Sequence, residues 1–506
     1  MLACIRSAAC VGLQSFSVDV EVDVADKGFP GFSIVGLPDK AVGEARERVR
    51  TALVNSSFAF PQKKITVNLA PADLPKEGSA FDLPIALGIL LANGDMETNE
   101  DGLFFGELSL DGTLRHTKGA LLLALFAKEQ GVEKIFVPIE SANEAAVVNG
   151  VQVIPVRCLK DLVSHLAGMK MIPPLKEIAI KALVEKAAPE FEWSEIVGQE
   201  TAKRALTIAA AGGHNILMSG PPGSGKTMLS RALPGIMPEM TEEETMEVTK
   251  IYSAAGLLEA GEAIVRRRPF RSPHHSTSLA GLIGGGSHPT PGEVSLAHLG
   301  VLFLDEMAEF PRFVLEGMRQ PMEDGKVEIS RALGRITYPA SFQLVAAVNP
   351  CQCGYLGHPT HECKCTVRDI ERYKRRISGP ILDRIDLHIN VPAVEMEKIV
   401  GVVPKGENSF VIRERVEKAR KIQSERLLKF GIFCNAQMKN KQVKEYCRLD
   451  PGGVRVLRMA MEKFDLSARS YFRVLKVART IADLEGSKDI LSVHLAEALQ
   501  YRERVF

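Results

Sequence analysis

The octapeptide Gly220-Pro221-Pro222-Gly223-Ser224-Gly225-Lys226-Thr227 follows directly on the apolar run Ile216-Leu217-Met218. A buried strand that breaks into a glycine-rich turn and then opens a helix is the geometry that holds a polyphosphate. Glycines let backbone N–H groups approach the oxygens, and the helix N-terminus faces the negative charge. In that arrangement Lys226 reaches the β- and γ-phosphates and Thr227 ligates Mg²⁺. The loop therefore predicts a nucleotide-binding α/β core around residue 220.

Strands with the same buried character recur on either side of helical segments. Ile216 to Met218, Val301 to Leu304 and Leu344 to Val348 read as strands of a parallel sheet covered on both faces, and they set an ATPase core at 191–392. Before it, strand-like runs (Phe16 to Val24, Lys64 to Asn68, Lys134 to Val137) alternate with helical ones (Asp39 to Val54, Gly119 to Gln130), predicting a separate α/β domain at 1–167. The segment 168–190, with a charged stretch bounded by Pro173 and Pro189, reads as a linker. Beyond it and the core, 393–506 is helical, with one apolar stripe at Ile412, Val416 and Ala419 and another at Leu475, Ala478 and Ala482.

Bulk properties narrow the function classes. A chain of 506 residues has room for several domains, and a formal net charge of +1 leaves nucleic-acid binding to local basic patches. The longest strongly apolar stretch, Leu83 to Ala92, is too short to span a bilayer, so a cytoplasmic protein with no membrane partner is expected. Nine cysteines, four of them crowded between Cys351 and Cys365, suit a reducing compartment.

Two further strands end in chemistry. Val301-Leu302-Phe303-Leu304 delivers Asp305 and Glu306 to the end of a strand, where ligands of open α/β sheets bind. Asp305 is placed to hold Mg²⁺ and Glu306 to polarise the attacking water. Leu344 to Val348 delivers Asn349, whose amide is suited to holding that water against the γ-phosphate.

Together these residues resemble the AAA+ ATPases. Phe191 to Ala205, with Ile196-Val197-Gly198-Gln199, is similar to the segment that flanks the adenine in that family, which adds Val197 and Gly198 to the expected ATP contacts. The resemblance is closer to one branch. Arg271-Ser272-Pro273-His274-His275, Gly284-Gly285-Gly286, Pro291-Gly292-Glu293, Asn349-Pro350-Cys351 and Gly379 to Asp386 are similar to the magnesium-chelatase-like ATPases of the YifB/ComM group, and matching segments run through nearly the whole chain. The group includes a hexameric DNA helicase that drives branch migration. The resemblance therefore implies an ATP- and Mg²⁺-dependent homo-hexamer acting on single-stranded or branched DNA, in support of natural transformation. A magnesium-chelatase-type or protein-remodelling ATPase is the alternative. It also implies that Arg384 is an arginine finger inserted into a neighbouring subunit's nucleotide. Arg469, or alternatively Arg473, is then the second sensor on a helical lid. An arginine supplied across an interface neutralises developing γ-phosphoryl charge and so couples hydrolysis to assembly.

The span from Lys226 to Asp305 exceeds what a strand–helix–strand repeat needs, so an insert is expected there. It carries Arg266, Arg267, Arg268 and Arg271, with His274, His275 and a mobile glycine turn at Gly284-Gly285-Gly286 beyond. Val327 to Tyr338 reads as a hairpin with Arg331 near its tip and Arg335 beside it. These arginines are the candidates for phosphate contacts with DNA.

Two features remain. Cys351-Gln352-Cys353 and Cys363-Lys364-Cys365 supply the ligand count of a closed Zn²⁺ site, with His358 and His361 as substitutes; free thiols or a redox role are the alternatives. Pro75 to Ala80 and Gly106 to Gly112 resemble the Lon-protease-like, ribosomal-S5-type domain. Ser79 falls near its nucleophile, yet Leu121 follows Lys118-Gly119-Ala120 where the activating lysine is expected. A serine without a base is a poor nucleophile, so a non-proteolytic module is expected.

Overall fold

The computed structural model describes residues 2–37, 39–74, 76, 78–98, 100–184, 189–286, 290–331, 334–358, 360–393, 406–463 and 467–502. The chain divides into two units, Met1–Glu185 with Thr241–Arg266, and Lys186–Met240 with Arg267–Phe506.

In the first unit, β1 (Leu2–Val11) and β2 (Gln14–Ala25) form a hairpin in which Val11 pairs with Gln14. Alternation puts Val18, Val20, Val22 and Val24 on one face, all buried, as period-two patterning requires. Next come β3 (Gly31–Val35), α1 (Lys40–Asn55) and β4 (Lys64–Ala70), which completes a sheet of order β1-β2-β4-β3. The side chain of Asp39 caps α1 by accepting from the Val42 N–H at 2.7 Å. Helix α2 (Asp82–Asn93) is buried along nearly its whole length. A second sheet, all parallel, has the order β5 (Leu103–Phe104), β6 (Lys134–Pro138), β7 (Gln152–Val156), with α3 (Ala120–Glu129) joining its first two strands.

Two stretches expected elsewhere also belong to this unit. The segment 168–190 reads as a linker, but its larger part, to residue 184, lies in this unit: Leu175 and Ile178 donate backbone hydrogen bonds to Val153 and Ala146, and their side chains pack on the apolar core beneath. The stretch Thr241–Arg266 falls inside the expected ATPase core. Here its helix, Glu242–Ala255, instead anchors to the first unit through Ser253, whose hydroxyl donates to Glu144 at 2.5 Å. Asn143 also bonds the Gly261 carbonyl at 2.7 Å, and Ile264 buries beside Val147. An insert that carries its own apolar residues settles where they find a core.

The second unit is built on a five-stranded parallel sheet. In chain order its strands are β8 (Ile216–Ser219), β9 (Phe270–Arg271), β10 (Val301–Leu304), β13 (Gln343–Val348) and β14 (Leu387–Asn390), in the spatial order β9-β10-β13-β8-β14. Strands β8, β10 and β13 are buried at every residue, which is why they read as unbroken apolar runs. Between β10 and β13 lies the expected hairpin, β11 (Lys326–Arg331) with β12 (Gly334–Pro339). Helices α4 (Glu200–Gly212) and α5 (Lys226–Ile236) pack against the sheet. C-terminal helices α6 (Ser409–Leu427), α7 (Ala468–Leu484) and α8 (Ser492–Gln500) share the same core through Ile412, Val416, Val474, Ala478 and Leu495. Gly284 and Gly285, expected in a mobile turn, pair instead with Pro291 and Thr290 in a short ladder. Among the described residues no helix is long and apolar enough to cross a membrane.

The architecture is thus an N-terminal Lon-like α/β unit, a phosphate-loop parallel sheet and a C-terminal helical region. All five strands of the larger sheet point the same way, so Gly220, Asp305 and Asn349 leave it along one edge.

Candidate nucleotide site and its surroundings

The phosphate loop turns at Gly223 (φ +74°) and Gly225 (φ +88°), left-handed conformations that favour glycine. A Cβ at Gly220 would stand 2.1 Å from the Val391 carbonyl oxygen, so the loop runs flush against the end of β14. Pro221 and Pro222 stiffen its entry, and Ser224 is buried. The segment before α4 meets the loop through Gln199, whose amide donates to Ser224 O at 3.2 Å and Pro392 O at 2.7 Å. This brings the expected adenine-flanking residues Val197 and Gly198 to the loop's side, and the Gln199 bridge itself has no signature in the sequence.

Lys226 is buried and donates to Gly220 O at 2.7 Å and Pro221 O at 2.8 Å, with Asn349 Oδ1 3.4 Å away. Burial pushes its pKa down, and the charges of Asp305 and Glu306 oppose that. A desolvated ammonium held by loop carbonyls is one that a polyanion would stabilise. Thr227 Oγ1 donates to Asp305 Oδ2 at 3.1 Å, so hydroxyl and carboxylate converge on the point where a nucleotide-bound Mg²⁺ would take both. Glu306 has φ +48° and ψ +46°, an uncommon conformation for a residue with a Cβ, and its side chain is half exposed. Its carboxylate lies 4.0 Å from His275 Nδ1, and the His275 ring lies tilted against that of His274 with centroids 4.0 Å apart. The sequence suggests His275 only as part of an arginine-rich insert; in the fold it neighbours the expected water-activating group.

Arg384 stands elsewhere. Its carbonyl accepts from Asn215, the residue before β8, at 3.1 Å, which puts it at the amino edge of the sheet. The phosphate loop leaves the opposite edge, a four-residue strand or roughly 13 Å away. The guanidinium donates to Pro380 O at 2.6 Å and to the carboxylate of Glu323, while its buried Nε has no partner among the described residues. Burial lowers the Arg384 pKa, with Glu323 opposing and the charges of Arg469 and Arg319 adding to the effect. Arg469, at the start of α7, reaches the same carboxylate at 3.6 Å. Arg473, one turn on, bonds Asp386 and donates to the Arg384 carbonyl at 3.1 Å. Asp386 also takes His214 at 3.1 Å, and the far nitrogen of that ring meets Thr480 at 2.8 Å. Arg473 thus tightens α7 onto β14, and Arg469 is the one whose guanidinium is exposed.

The expected DNA-binding arginines divide. Arg268 donates to the carbonyls of Pro238 (2.6 Å) and Leu299 (2.7 Å), and Arg271 makes a two-point pair with Glu293 at 2.7 and 2.8 Å, so both brace the fold. Arg266 and Arg267 are exposed; Arg266 is the last residue of the first unit's second segment and Arg267 the first of the second unit's second segment. On the hairpin Arg335 is exposed and paired with Glu328, whereas the Arg331 side chain lies outside the described residues.

Four sulfurs, of Cys351, Cys353, Cys363 and Cys365, lie within 4.8 Å of one another. A hydrogen bond from the Tyr355 N–H brings the Cys353 thiol down to about 6. In the first unit Ser79 donates to the Glu107 carboxylate, and Lys76 is buried against the Pro71 carbonyl. No hydrogen bond from a lysine reaches Ser79 among the described residues.

Three family profiles match in series: the ChlI subunit of magnesium chelatase at 20–141, magnesium chelatase subunit ChlI at 192–399, and its C-terminal part at 406–502. The chain is 46% identical over 508 residues to competence protein ComM of Haemophilus influenzae, covering 100% of this chain and 98% of that protein. It is 41% identical over 505 residues to the uncharacterized protein YifB of Escherichia coli, covering 99% and 97%. A shorter likeness, 30% identity over 175 residues, links 32% of this chain to 31% of Lon protease 2 of Bacillus subtilis. With relatives of this identity along its full length and a phosphate loop, Asp305 and Thr227 gathered at one sheet edge, the chain belongs to the magnesium-chelatase-like proteins of the ComM/YifB family, built around an AAA+ ATPase-type domain.

Proposed function

We propose that the protein is an ATP-hydrolysing ring motor that acts on DNA in the cytoplasm, a branch-migration helicase for the recombination of incoming DNA in natural transformation. The observation that carries the ring is the position of Arg384, across the sheet from its own chain's phosphate loop. An arginine so placed serves a nucleotide held by the next copy, and Arg469 beside it points to the same task. The loop from Gly220 to Thr227, with Asp305, holds MgATP; bound Mg²⁺ supplies charge neutralisation at the γ-phosphate. Glu306 takes a proton from water and Asn349 orients that water. A homo-hexamer is the assembly that the ComM likeness supports.

Support for DNA comes from the resemblance of the sequence to the YifB/ComM group and from the exposed basic side chains Arg266, Arg267 and Arg335, with Arg331 at the hairpin tip. The four-cysteine loop we read as a structural Zn²⁺ site. The match to chelatase profiles along the chain favours one other reading, an ATPase that remodels a protein partner. Turnover measured with and without forked DNA, alongside sedimentation with a slowly hydrolysed ATP analogue, separates the two. Stimulation by DNA in a ring-sized species is expected. A monomer that ignores DNA defeats the proposal.

A further inference from the structure

Strand β13 ends at Val348, and the chain then runs through Asn349 and Pro350 into Cys351, which is fully buried. Sulfur–sulfur distances of 3.3 Å (Cys351–Cys353), 3.6 Å (Cys351–Cys363) and 3.6 Å (Cys353–Cys363) approach the edges of about 3.8 Å that four Zn–S bonds of about 2.3 Å require. His358 Nδ1 accepts from the N–H groups of Thr360 and His361 in its own turn, and the ligand atoms that converge are those of the four cysteines. Four protein ligands close the coordination sphere, so such a metal is structural.

What the loop touches gives the metal a task. Gly354, directly after Cys353, is left-handed at φ +84°, and a Cβ there would meet Pro222 Cδ at 2.7 Å. The cysteine loop therefore lies backbone-on against the phosphate loop. Its other anchor, Asn349, faces the Lys226 ammonium at 3.4 Å. Joining the two Cys-x-Cys arms fixes Gly354 against Pro222 from one side and Asn349 from the other.

We infer that a zinc ion bound by Cys351, Cys353, Cys363 and Cys365 buttresses the phosphate loop, so that metal occupancy sets nucleotide affinity. This rests on reading the cluster as a zinc site. Two sites joined through one packed contact couple reciprocally: whatever factor zinc adds to nucleotide affinity, nucleotide adds to zinc affinity.

The test uses the full chain. Elemental analysis of the purified protein is expected to find about one zinc per chain. Binding of a fluorescent ATP analogue is then compared between wild type, the C363S/C365S double variant and Gly354→Val, each checked for folding by circular dichroism. Coupling of the usual size weakens the analogue about 5- to 150-fold in the metal-free variant. Gly354→Val is expected to keep its zinc and lose a similar factor, which keeps the inference testable if the double variant does not fold. In equilibrium competition with a chelator, the analogue should tighten zinc by the same factor. Protein with less than roughly a tenth of a zinc per chain removes the site and the inference together. Stoichiometric zinc with analogue affinity unchanged in Gly354→Val, or in a folded metal-free double variant, overturns the buttress and leaves the site standing.

Discussion

Arg384 donates to the carboxylate of Glu323, and that single acid also has Arg469 3.6 Å away. Two guanidiniums from separate elements thus share one internal anion at the edge of the sheet away from the phosphate loop. If a neighbour's γ-phosphate is their working partner, Glu323 occupies its place within the isolated chain and competes with it. Replacing Arg384 with alanine should lower ATP turnover by about 10³-fold or more while analogue binding stays within a few-fold. Turnover near wild type would remove Arg384 from the neighbour's site.

Glu323→Gln tests the competition separately. With the carboxylate gone, turnover at low protein concentration should rise, because assembly no longer has to displace an internal ion pair. The half-buried pair also stabilises the fold, so the variant should lose on the order of 1–2 kcal/mol in denaturant melts. A fall in both stability and turnover would make Glu323 a structural partner only.

At the nucleotide site, Lys226→Ala and Glu306→Gln should separate binding from chemistry. Loss of the buried ammonium removes a charge that reaches phosphate and should weaken the ATP analogue by about tenfold or more, a difference of about 1.4 kcal/mol per decade. Loss of the Glu306 carboxylate should leave binding intact and slow hydrolysis by about 10²-fold or more, as expected when a general base is removed. Titration with a fluorescent analogue and single-turnover hydrolysis read the two separately. Normal hydrolysis in Glu306→Gln would pass the base role to another group, with His275, 4.0 Å away, the first to examine.

How much of this is legible in the sequence depends on the range of the interaction. The phosphate loop, Asp305, Glu306 and Asn349 are visible because each sits next to its own apolar strand, and a strand end in a parallel sheet is a local property. The Glu323 carboxylate beside Arg384, Gln199 bridging to Ser224, and Gly354 against Pro222 join residues far apart in the chain with no spacing to mark them. The stretch Thr241–Arg266 shows the same limit. Its helix is readable from the capping box at Thr241 and Glu244, but a choice between two apolar cores depends on surfaces that form only in three dimensions. Arg268 and Arg271 look like free basic residues because their partners, backbone carbonyls and Glu293, become neighbours only on folding.

His388, buried in β14, gives a prediction for acid stability. Burial, with Arg502 adding to it, pushes its pKa down to about 4. The unfolded chain takes up that proton near pH 6.5 and the folded chain only near 4, so stability is full above about 6.5 and declines as pH falls toward 4. One such group contributes a slope of at most about 1.4 kcal/mol per pH unit. His388→Gln should therefore melt with a shallower dependence between pH 6.5 and 4.5 than wild type. Buried His214, also shifted down, keeps part of the slope in both proteins. Parallel curves for the two proteins would mean that His388 is not held neutral by the fold.

Charge reversal on the hairpin tests the DNA surface. Arg335 is exposed but paired with Glu328, so Arg335→Glu sets two carboxylates side by side and should cost about 0.5–1 kcal/mol of stability. If the hairpin meets DNA phosphates, a double R331E/R335E variant should bind single strands more weakly at every sequence and lose DNA stimulation, with basal turnover unchanged. Each phosphate that is no longer neutralised should flatten the plot of log affinity against log salt by roughly 0.7 for single strands. Arg271→Ala serves as the contrasting case. It removes a fold-bracing pair with Glu293, so its expected signature is a lower melting temperature with the salt slope unaltered. An unchanged slope in the double hairpin variant would move the DNA-binding role to another surface, with exposed Arg266 and Arg267 the next to reverse.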